Sequence, residues 1–413
     1  MFLYIIYLIC TPFIWVAIII STIFNTKIKN NYFSAHRTLN QVKNFLKNNN
    51  KQILLFHAAS AGEFEQLKPI LRLIDRQRYA IIQSFTSSTI YNDNADNYLF
   101  DIKCYQPFDL IWSSYYYFKS IKPSKYIITR HDIWPNHLVI AKILDIKTYF
   151  INANIHKNSI WYYSIMQPFT KFLFKKLHFI HLPSNKILDN VLSKEIKLNN
   201  MKVSPDSRIA QVQIRSQNNI LKLPVPINKK NTTIFGSIDK HDEDIIIQAL
   251  SVLDSINKKN IKNTNNYYFL VPHEPSNKNL ELLYQKLNNE NLKYSILDFK
   301  QNSFNNIIIV NQVGLLADLY KFCNKAYIGG GFSRGVHSVL EPAVYNCKIT
   351  FGPNIEMLNE AQTLIDSHSA SITHDVNDLM NFLKSNTNHI RATLFQNQDI
   401  AEKILDYILD DKN

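Results

Sequence analysis

The sequence predicts an α/β protein of two doubly wound, Rossmann-like domains behind an apolar N-terminal helix. Three observations predict it. From residue 50 onward, short apolar runs alternate with amphipathic stretches, the strand–helix alternation of a parallel sheet. The alternation stops in a polar, helix-poor stretch near residues 213–230 and then restarts. The 413 residues, 46% of them hydrophobic, suit two buried cores rather than one.

The elements follow in order. "MFLYIIYLICTPFIWVAIIISTIFNTK" has no charged side chain before Lys27, and Phe2 to Phe24 is long enough to span about 30 Å of hydrocarbon. It lacks the basic start, short apolar core and small-residue cleavage site of a secretory signal. Pro12 would kink this helix without forbidding it. Lys27, Lys29, Arg37, Lys43 and Lys47 come next, so the positive-inside bias places the body in the cytoplasm. The expected division is a transmembrane anchor over 1–26, a first domain over 27–212, a linker over 213–230, a second domain over 231–390 and a terminal helix over 391–413.

In the first domain "ILLFH", "YAIIQSF", "KYIIT" and "KTYFIN" read as strands, with helices in "FEQLKPILRLI" and after Pro135. In the second, "TTIFG", "YYFLVPH", "FNNIIIV", "KAYIGG" and "KITFG" read as strands. Its helices are expected in "DEDIIIQALSVLDSI", "NLELLYQKL" and "LLADLYKF", and from about Val336 through "SVLEPAVYN". Two such domains imply a cleft between them, and ligands of such sheets sit beyond the carboxyl ends of the strands.

A net charge of +13 favours anionic partners, meaning nucleic acid, acidic lipid head groups or phosphorylated substrates. No Lys/Arg cluster is interleaved with aromatics, which makes nucleic acid the weakest of the three. Cys10, Cys104, Cys323 and Cys347 are far apart, with neither a C-x-x-C pair nor metal-like Cys/His spacing. That pattern suits a reducing compartment and no structural zinc.

Only eight glycines occur, and Gly329, Gly330, Gly331 and Gly335 fall within seven residues. The others are Gly62, Gly236, Gly314 and Gly352, and all eight lie at an expected strand end or helix start. Backbone packed around a ligand would explain that placement. "GGGFSRGVHSVLEP" reads as a strand end, a glycine loop and a helix whose first amides form an anion site. Glu341, one turn into that helix, could accept hydrogen bonds from a ribose diol. The spacing is neither G-x-G-x-x-G nor a P-loop. Glu63 follows Gly62 at a helix start and reads either as a carboxylate complementing the helix dipole or as a general base. His57 reads as a packed or hydrogen-bonded histidine, and "HDED" (241–244) as an acidic helix start.

The anchor, "HAASAGEFEQLKPIL", "DIWPN", "NANIHKNS", "DSRIAQV", "FGSIDKHDED", "VPHEP", "GLLADLY", "GGGFSRGVHSVLEP" and "FGPNIEMLNEA" follow one another in this order. The chain thereby resembles the 3-deoxy-D-manno-octulosonic acid (Kdo) transferase family from its anchor to about residue 361. The resemblance implies a GT-B glycosyltransferase on the cytoplasmic face of the inner membrane. Such an enzyme moves Kdo from CMP-Kdo to a hydroxyl of the lipid A precursor, using neither a metal nor another cofactor. The first domain would bind the acceptor and the second the donor. The family's general base falls on Glu63, and its transition-state-stabilising residues on Asp132 and Arg208. Its CMP contacts fall on Pro272 and His273, on Val313, Gly314 and Leu315, and on Ser338, Val339, Leu340 and Glu341. The chain departs from the family pattern at Val336 (usually Gly), Ser338 (Asn), His273 (Arg), Asp132 (Glu) and Asn154 (Arg).

At a helix start Glu63 is expected to have a lowered pKa, countered when cleft closure removes water. Two other classes remain open at this stage. One is a GT-B enzyme using a UDP-sugar for another envelope glycan, and the other a membrane-anchored, non-catalytic homologue.

Overall fold

Each alternating segment closes into its own parallel sheet. The structure is a computed structural model and describes residues 2–155, 163–196, 200–260, 266–356, 358–386, 393–395 and 399–410. Contacts divide the chain into a first unit, Met1–Gln211 with Gln398–Asn413, and a second, Val212–Asn397.

The first unit begins with α1 (Phe2–Phe24) and α2 (Thr26–Lys47). Its strands are β1 (Gln52–Ala58), β2 (Tyr79–Phe85), β3 (Ile102–Tyr105), β4 (Lys125–Thr129), β5 (Lys147–Ile151), β6 (Phe179–Leu182) and β7 (Met201–Val203). Between them run α3 (Ala61–Leu73), α4 (Ser88–Asn92), α5 (Ile111–Ile121), α6 (Pro135–Ile143), α7 (Gln167–Phe174) and α8 (Asn185–Leu192). The strand order is β3-β2-β1-β4-β5-β6-β7, and every pairing is parallel. Every residue of β2 and β4 is buried, because helices cover both faces of such a sheet.

The edge strand β3 is closed off by α2. Thr38 Oγ1 accepts the Tyr105 N–H at 3.1 Å, and Asn31 Nδ2 donates to the carbonyls of Thr86 and Gln106 at 3.0 and 3.2 Å. Helix α1 is long and apolar enough to cross a membrane. It nevertheless folds back on the chain: Asn25 interrupts the helix and caps α2 through the Lys27 and Ile28 N–H groups. Trp15 Nε1 then donates to the Tyr32 hydroxyl at 3.0 Å.

The second unit is approached along α9 (Ser207–Gln217), which spans the residues where one unit gives way to the other. Its strands are β8 (Thr232–Ile238), β9 (Tyr267–Pro272), β10 (Tyr294–Ile296), β11 (Ile307–Ile309), β12 (Lys325–Ile328), β13 (Lys348–Phe351) and β14 (Ala370–Ile372). Its helices are α10 (Lys240–Asn260), α11 (Asn277–Asn289), α12 (Leu316–Leu319), α13 (Leu340–Val344), α14 (Asn359–Asp366) and α15 (Val376–Lys384). The strand order is β10-β11-β9-β8-β12-β13-β14, again all parallel. Successive residues of β8 enter opposite layers: Ile234 joins the core with Leu319, Ala343 and Leu364, and Phe235 the core with Ile246, Leu283 and Leu379.

The last helix, α16 (Ile400–Leu409), returns to the first unit. Lys125 Nζ donates to the Ile408 carbonyl at 2.8 Å, and the Phe179 and Tyr407 rings lie 5.2 Å apart. Residues 391, 392, 396–398 and 411–413 of the expected terminal helix lie outside the described residues.

Both sheets reverse their winding beside their first strand, between β1 and β4 and between β8 and β12. In doubly wound folds the crevice for ligand opens at such a reversal, beyond the carboxyl ends of the strands.

Candidate functional site

At the β1/β4 reversal the chain leaves β1 through Ala59 and Ser60 and enters α3. Ser60 caps the helix, and Glu63 completes a capping box. Glu63 Oε2 accepts the N–H groups of Ala59 at 2.7 Å and Ser60 at 3.0 Å. Its other oxygen, Oε1, makes no hydrogen bond among the described residues. The side chain is thus oriented by one oxygen and leaves the other available to a proton. Burial raises the Glu63 pKa, and Asp132 raises it further, against lowering by His57 and the two amides. The expected lowering at a helix start is overturned, because the carboxylate is only 7% exposed and has a second carboxylate nearby.

Asp132 stands in the loop after β4, where Arg130 turns the backbone at φ 63°. Its Oδ2 pairs with His57 Nε2, and its Oδ1 accepts from Trp134 Nε1. Burial pushes the Asp132 pKa up, but His57, Trp134 and His137 outweigh it and hold the group below its ordinary value. His57 is fully buried at the end of β1, opposite Ser84 of β2, and its Nδ1 lies 2.9 Å from the Ser84 hydroxyl. The sequence reading of a hydrogen-bonded histidine therefore holds. What it missed is the partner, since Asp132 belongs to a different strand end.

Arg208, in the first turn of α9, is half-buried. Its N–H donates to Asp206 Oδ1 at 2.7 Å, and Asp206 Oδ2 accepts from Gln66 Nε2 at 3.0 Å. Ser207 Oγ donates to the Gln66 carbonyl at 2.6 Å. The start of α9 is thereby tied to α3, the helix that carries Glu63. Asn154 donates its N–H to the Arg130 carbonyl at 3.0 Å and braces the Asp132 loop. His156 to Ser159 of "NANIHKNS" lie outside the described residues.

In the second unit the β8/β12 reversal holds the glycine loop. Asp242, in the first turn of α10, accepts the Asp239 and Gly330 N–H groups, each at 2.9 Å, and the Tyr327 hydroxyl at 2.7 Å. The "HDED" run therefore starts a helix, as expected, and also clamps the loop. The His273 and His337 rings stack with centroids 4.2 Å apart, joining the end of β9 to the loop.

Two expectations about this loop need correction. The helix begins at Leu340 rather than Val336 and is five residues long, so Glu341 sits in its first turn. The amides that would have opened a longer helix are bonded elsewhere: Val336 N–H to the Asn354 carbonyl at 3.0 Å and His337 N–H to the Gly329 carbonyl at 3.1 Å. With the Gly330 N–H on Asp242, the anion cradle loses these three donors.

Nor is a ligand needed to explain most of the clustered glycines. A Cβ on Gly331 would meet the Gly352 backbone at 2.6 Å, and one on Gly329 the Ser237 carbonyl oxygen at 2.2 Å. Gly330 has φ +87°, which L side chains rarely adopt. These glycines let neighbouring strand-end loops touch. Gly62 is different, since space beside it is open for 4 Å.

The signal for a ligand lies in the side chains instead. Ser338 Oγ and Glu341 Oε2 are buried with no hydrogen-bond partner among the described residues. Val339 and Leu340 between them are fully buried. Pro272 ends β9 with His273 next to it, while Val313, which is 78% exposed, and Gly314 and Leu315 precede α12.

Residues 34–211 match the model of the 3-deoxy-D-manno-octulosonic-acid transferase (kdotransferase) family. The first unit carries the Kdo-transferase domain. Beyond that domain the similarity covers most of the chain. The Kdo transferase of Rickettsia typhi is 24% identical over 349 residues, which are 81% of this chain and 72% of that one. The Kdo transferase of Aquifex aeolicus is 24% identical over 327 residues, 78% of this chain and 82% of that one. Among solved structures, the UDP-N-acetylglucosamine 2-epimerase of Neisseria meningitidis superposes with a TM-score of 0.60 at 11% identity, covering 88% of this chain and all (100%) of that one. That likeness shows the fold, two parallel sheets of GT-B type. The Kdo-transferase domain contains Glu63, Asp132 and Arg208.

Proposed function

We propose that this glycosyltransferase moves Kdo from CMP-Kdo to a hydroxyl of the lipid A precursor in lipopolysaccharide core biosynthesis. The observation that carries the reading is Glu63, inside a Kdo-transferase domain, with Oε2 fixed by two amides and Oε1 unbonded. Glu63 Oε1 takes the proton of the acceptor hydroxyl. The hydroxyl oxygen attacks the anomeric carbon of Kdo, and the bond from that carbon to the CMP phosphate oxygen breaks, releasing CMP. Asp132, kept ionised by His57 and Trp134, meets positive charge developing at the anomeric carbon. Arg208 meets negative charge on the departing phosphate.

In the second unit Pro272, His273, Val313, Gly314, Leu315, Ser338, Val339, Leu340 and Glu341 hold CMP. Ser338 Oγ and Glu341 Oε2 take its polar groups, which supports placing the nucleotide there. Helix α1 and the net charge of +13 hold the enzyme on the anionic inner membrane, its body on the cytoplasmic face where the acceptor lies.

The test is turnover of the purified chain with CMP-Kdo and lipid A precursor. Glu63→Gln should lower kcat by about 100- to 10,000-fold with little change in KM. The wild-type rate should rise with pH above the range of an ordinary glutamate, because burial and Asp132 raise the Glu63 pKa. CMP should compete where UDP does not, and a chelator should leave the rate unchanged. Retained turnover in Glu63→Gln removes it as the base, and turnover with a UDP-sugar alone removes the donor assignment.

A further inference from the structure

Helix α1 is laid against the chain along its length. Tyr4, Tyr7, Thr11, Ile14, Ile18 and Thr22 recur at three- and four-residue steps, and all are withdrawn from solvent. Near its start, Tyr4 donates to Asn136 Oδ1 at 3.0 Å and Tyr7 to Asp109 Oδ2 at 2.7 Å. Asp109 is itself built into the body, accepting the N–H groups of Asn136 at 3.0 Å and His137 at 2.9 Å. Further along, Trp15 donates to Tyr32 of α2. Those two residues would be about 25 Å apart on one continuous helix, so α1 and α2 form a hairpin.

A membrane crossing would have to break these bonds. A spanning helix needs about 20 residues inside about 30 Å of hydrocarbon. Three side chains of α1, Tyr4, Tyr7 and Trp15, are bonded to polar groups of the body and of α2, which itself carries Lys27, Lys29, Arg37, Lys43 and Lys47. The nine residues from Val16 to Phe24 would cover about 14 Å, roughly half of the hydrocarbon.

The opposite face of α1 is uniformly apolar and exposed, with Phe13 at 74% and Phe24 at 85%. Trp15 meets Trp112 of α5 edge-on at 6.4 Å, and Tyr115 and Tyr116 are exposed on the same helix. Lys43 Nζ donates to the Tyr116 hydroxyl at 3.2 Å. An apolar cavity of about 310 Å³ opens there, lined by Trp15, Tyr32, Leu39, Phe108, Trp112 and Tyr116. Apolar face, aromatic rim and basic flank follow the depth profile of one lipid leaflet, from acyl chains to anionic head groups.

We infer that α1 lies in the plane of one leaflet of an anionic phospholipid membrane, with both its ends on the same side as the body. This deepens the membrane association proposed above and rests on it. The apolar face meets acyl chains, and Lys27, Lys29 and Lys43 meet the head groups. The arrangement holds the body against the surface through the whole length of the helix instead of through one flexible exit point.

The experiment uses the full chain carrying Cys10→Ser, since Cys104, Cys323 and Cys347 are buried. Phe13→Cys, at an exposed position that leaves the fold intact, or a single cysteine in a short polar extension added before Met1 is then introduced. The protein is bound to sealed phosphatidylglycerol/phosphatidylcholine vesicles with the body outside, as shown by added protease. The expected result is that a membrane-impermeant maleimide labels the cysteine of the extension without vesicle lysis, and that a fluorophore at position 13 is quenched by lipids brominated in the acyl chain. Labelling of the extension only after lysis means a crossing and overturns the inference while sparing membrane association. Failure to co-sediment with vesicles overturns both. Cross-linking between copies at position 13 without lipid assigns the face to a second copy and overturns the inference.

Discussion

Gly331→Ala and Gly62→Ala should have opposite consequences, and the difference separates glycine kept for packing from glycine kept for open space. At Gly331 the new methyl would stand 2.6 Å from Gly352 N and Cα. That is about 1 Å inside ordinary contact, and the atoms in the way are backbone. Overpacking of this kind costs about 1–3 kcal/mol. If the loops part, the Asn354 N–H loses the Gly331 carbonyl it now meets at 3.0 Å, a further loss of about 0.5–1.5 kcal/mol. For a unit of this size the sum of about 1.5–4.5 kcal/mol lowers Tm by about 3–18 °C. Gly62 has nothing within 4 Å and sits in the first turn of α3, so alanine there costs no packing and gains up to about 1 kcal/mol of helix propensity. Its methyl instead intrudes on the open space beside Glu63. Calorimetric melting and CMP titration of both variants provide the assay. Gly331→Ala should melt early and bind CMP weakly, while Gly62→Ala melts normally, binds CMP normally and turns over slowly. Gly331→Ala melting within 2 °C of the parent (about 1 kcal/mol at most) with unchanged CMP affinity would refute the reasoning.

Two further outcomes follow from individual side chains. Glu341→Gln keeps the shape of a group whose Oε2 has no partner among the described residues, so Tm should hold while the Kd for CMP rises about 10- to 100-fold, measured by titration calorimetry. An unchanged Kd would place the nucleotide elsewhere. Asp132 has a folded-state pKa below its ordinary 3.8, so its stabilisation is present above that value and disappears as pH falls through the lower folded value. Asp132→Asn should therefore be less stable at pH 7 and lose stability less steeply below about pH 4 in acid-unfolding curves.

What could be read in advance depended on local pattern. Strands such as "YAIIQSF" and "KYIIT" are continuous apolar runs, because parallel strands are buried on both faces. The three-residue strands β7, β10 and β14 are too short to carry a period and appear only as partners in a sheet. Glu63 was legible as a helix-start carboxylate, but its pKa was not, because Asp132 and the burial come from the tertiary fold. The start of α13 was placed early for a similar reason. Glycine-rich sequence shows that the chain can turn, while only the bonds of Val336 to the Asn354 loop and of His337 back to Gly329 show that it does not yet coil. Apolarity and length marked α1 as a membrane helix, and neither property reveals that Tyr4, Tyr7 and Trp15 tie it down.

Helix α16 bears on biosynthesis. The first unit is made of the first 211 residues and the last 16, so it is incomplete while the second unit is being translated. Until Ile400 to Leu409 leave the ribosome, Lys125 lacks the Ile408 carbonyl and Phe179 lacks the Tyr407 ring. The unit that holds Glu63 can close fully only once α16 has been made. A message broken or a ribosome stalled near the end then yields a protein whose defect lies in the first domain, far from the missing codons in sequence. For the same reason a label placed on α16 reports on the packing of the first unit rather than the second.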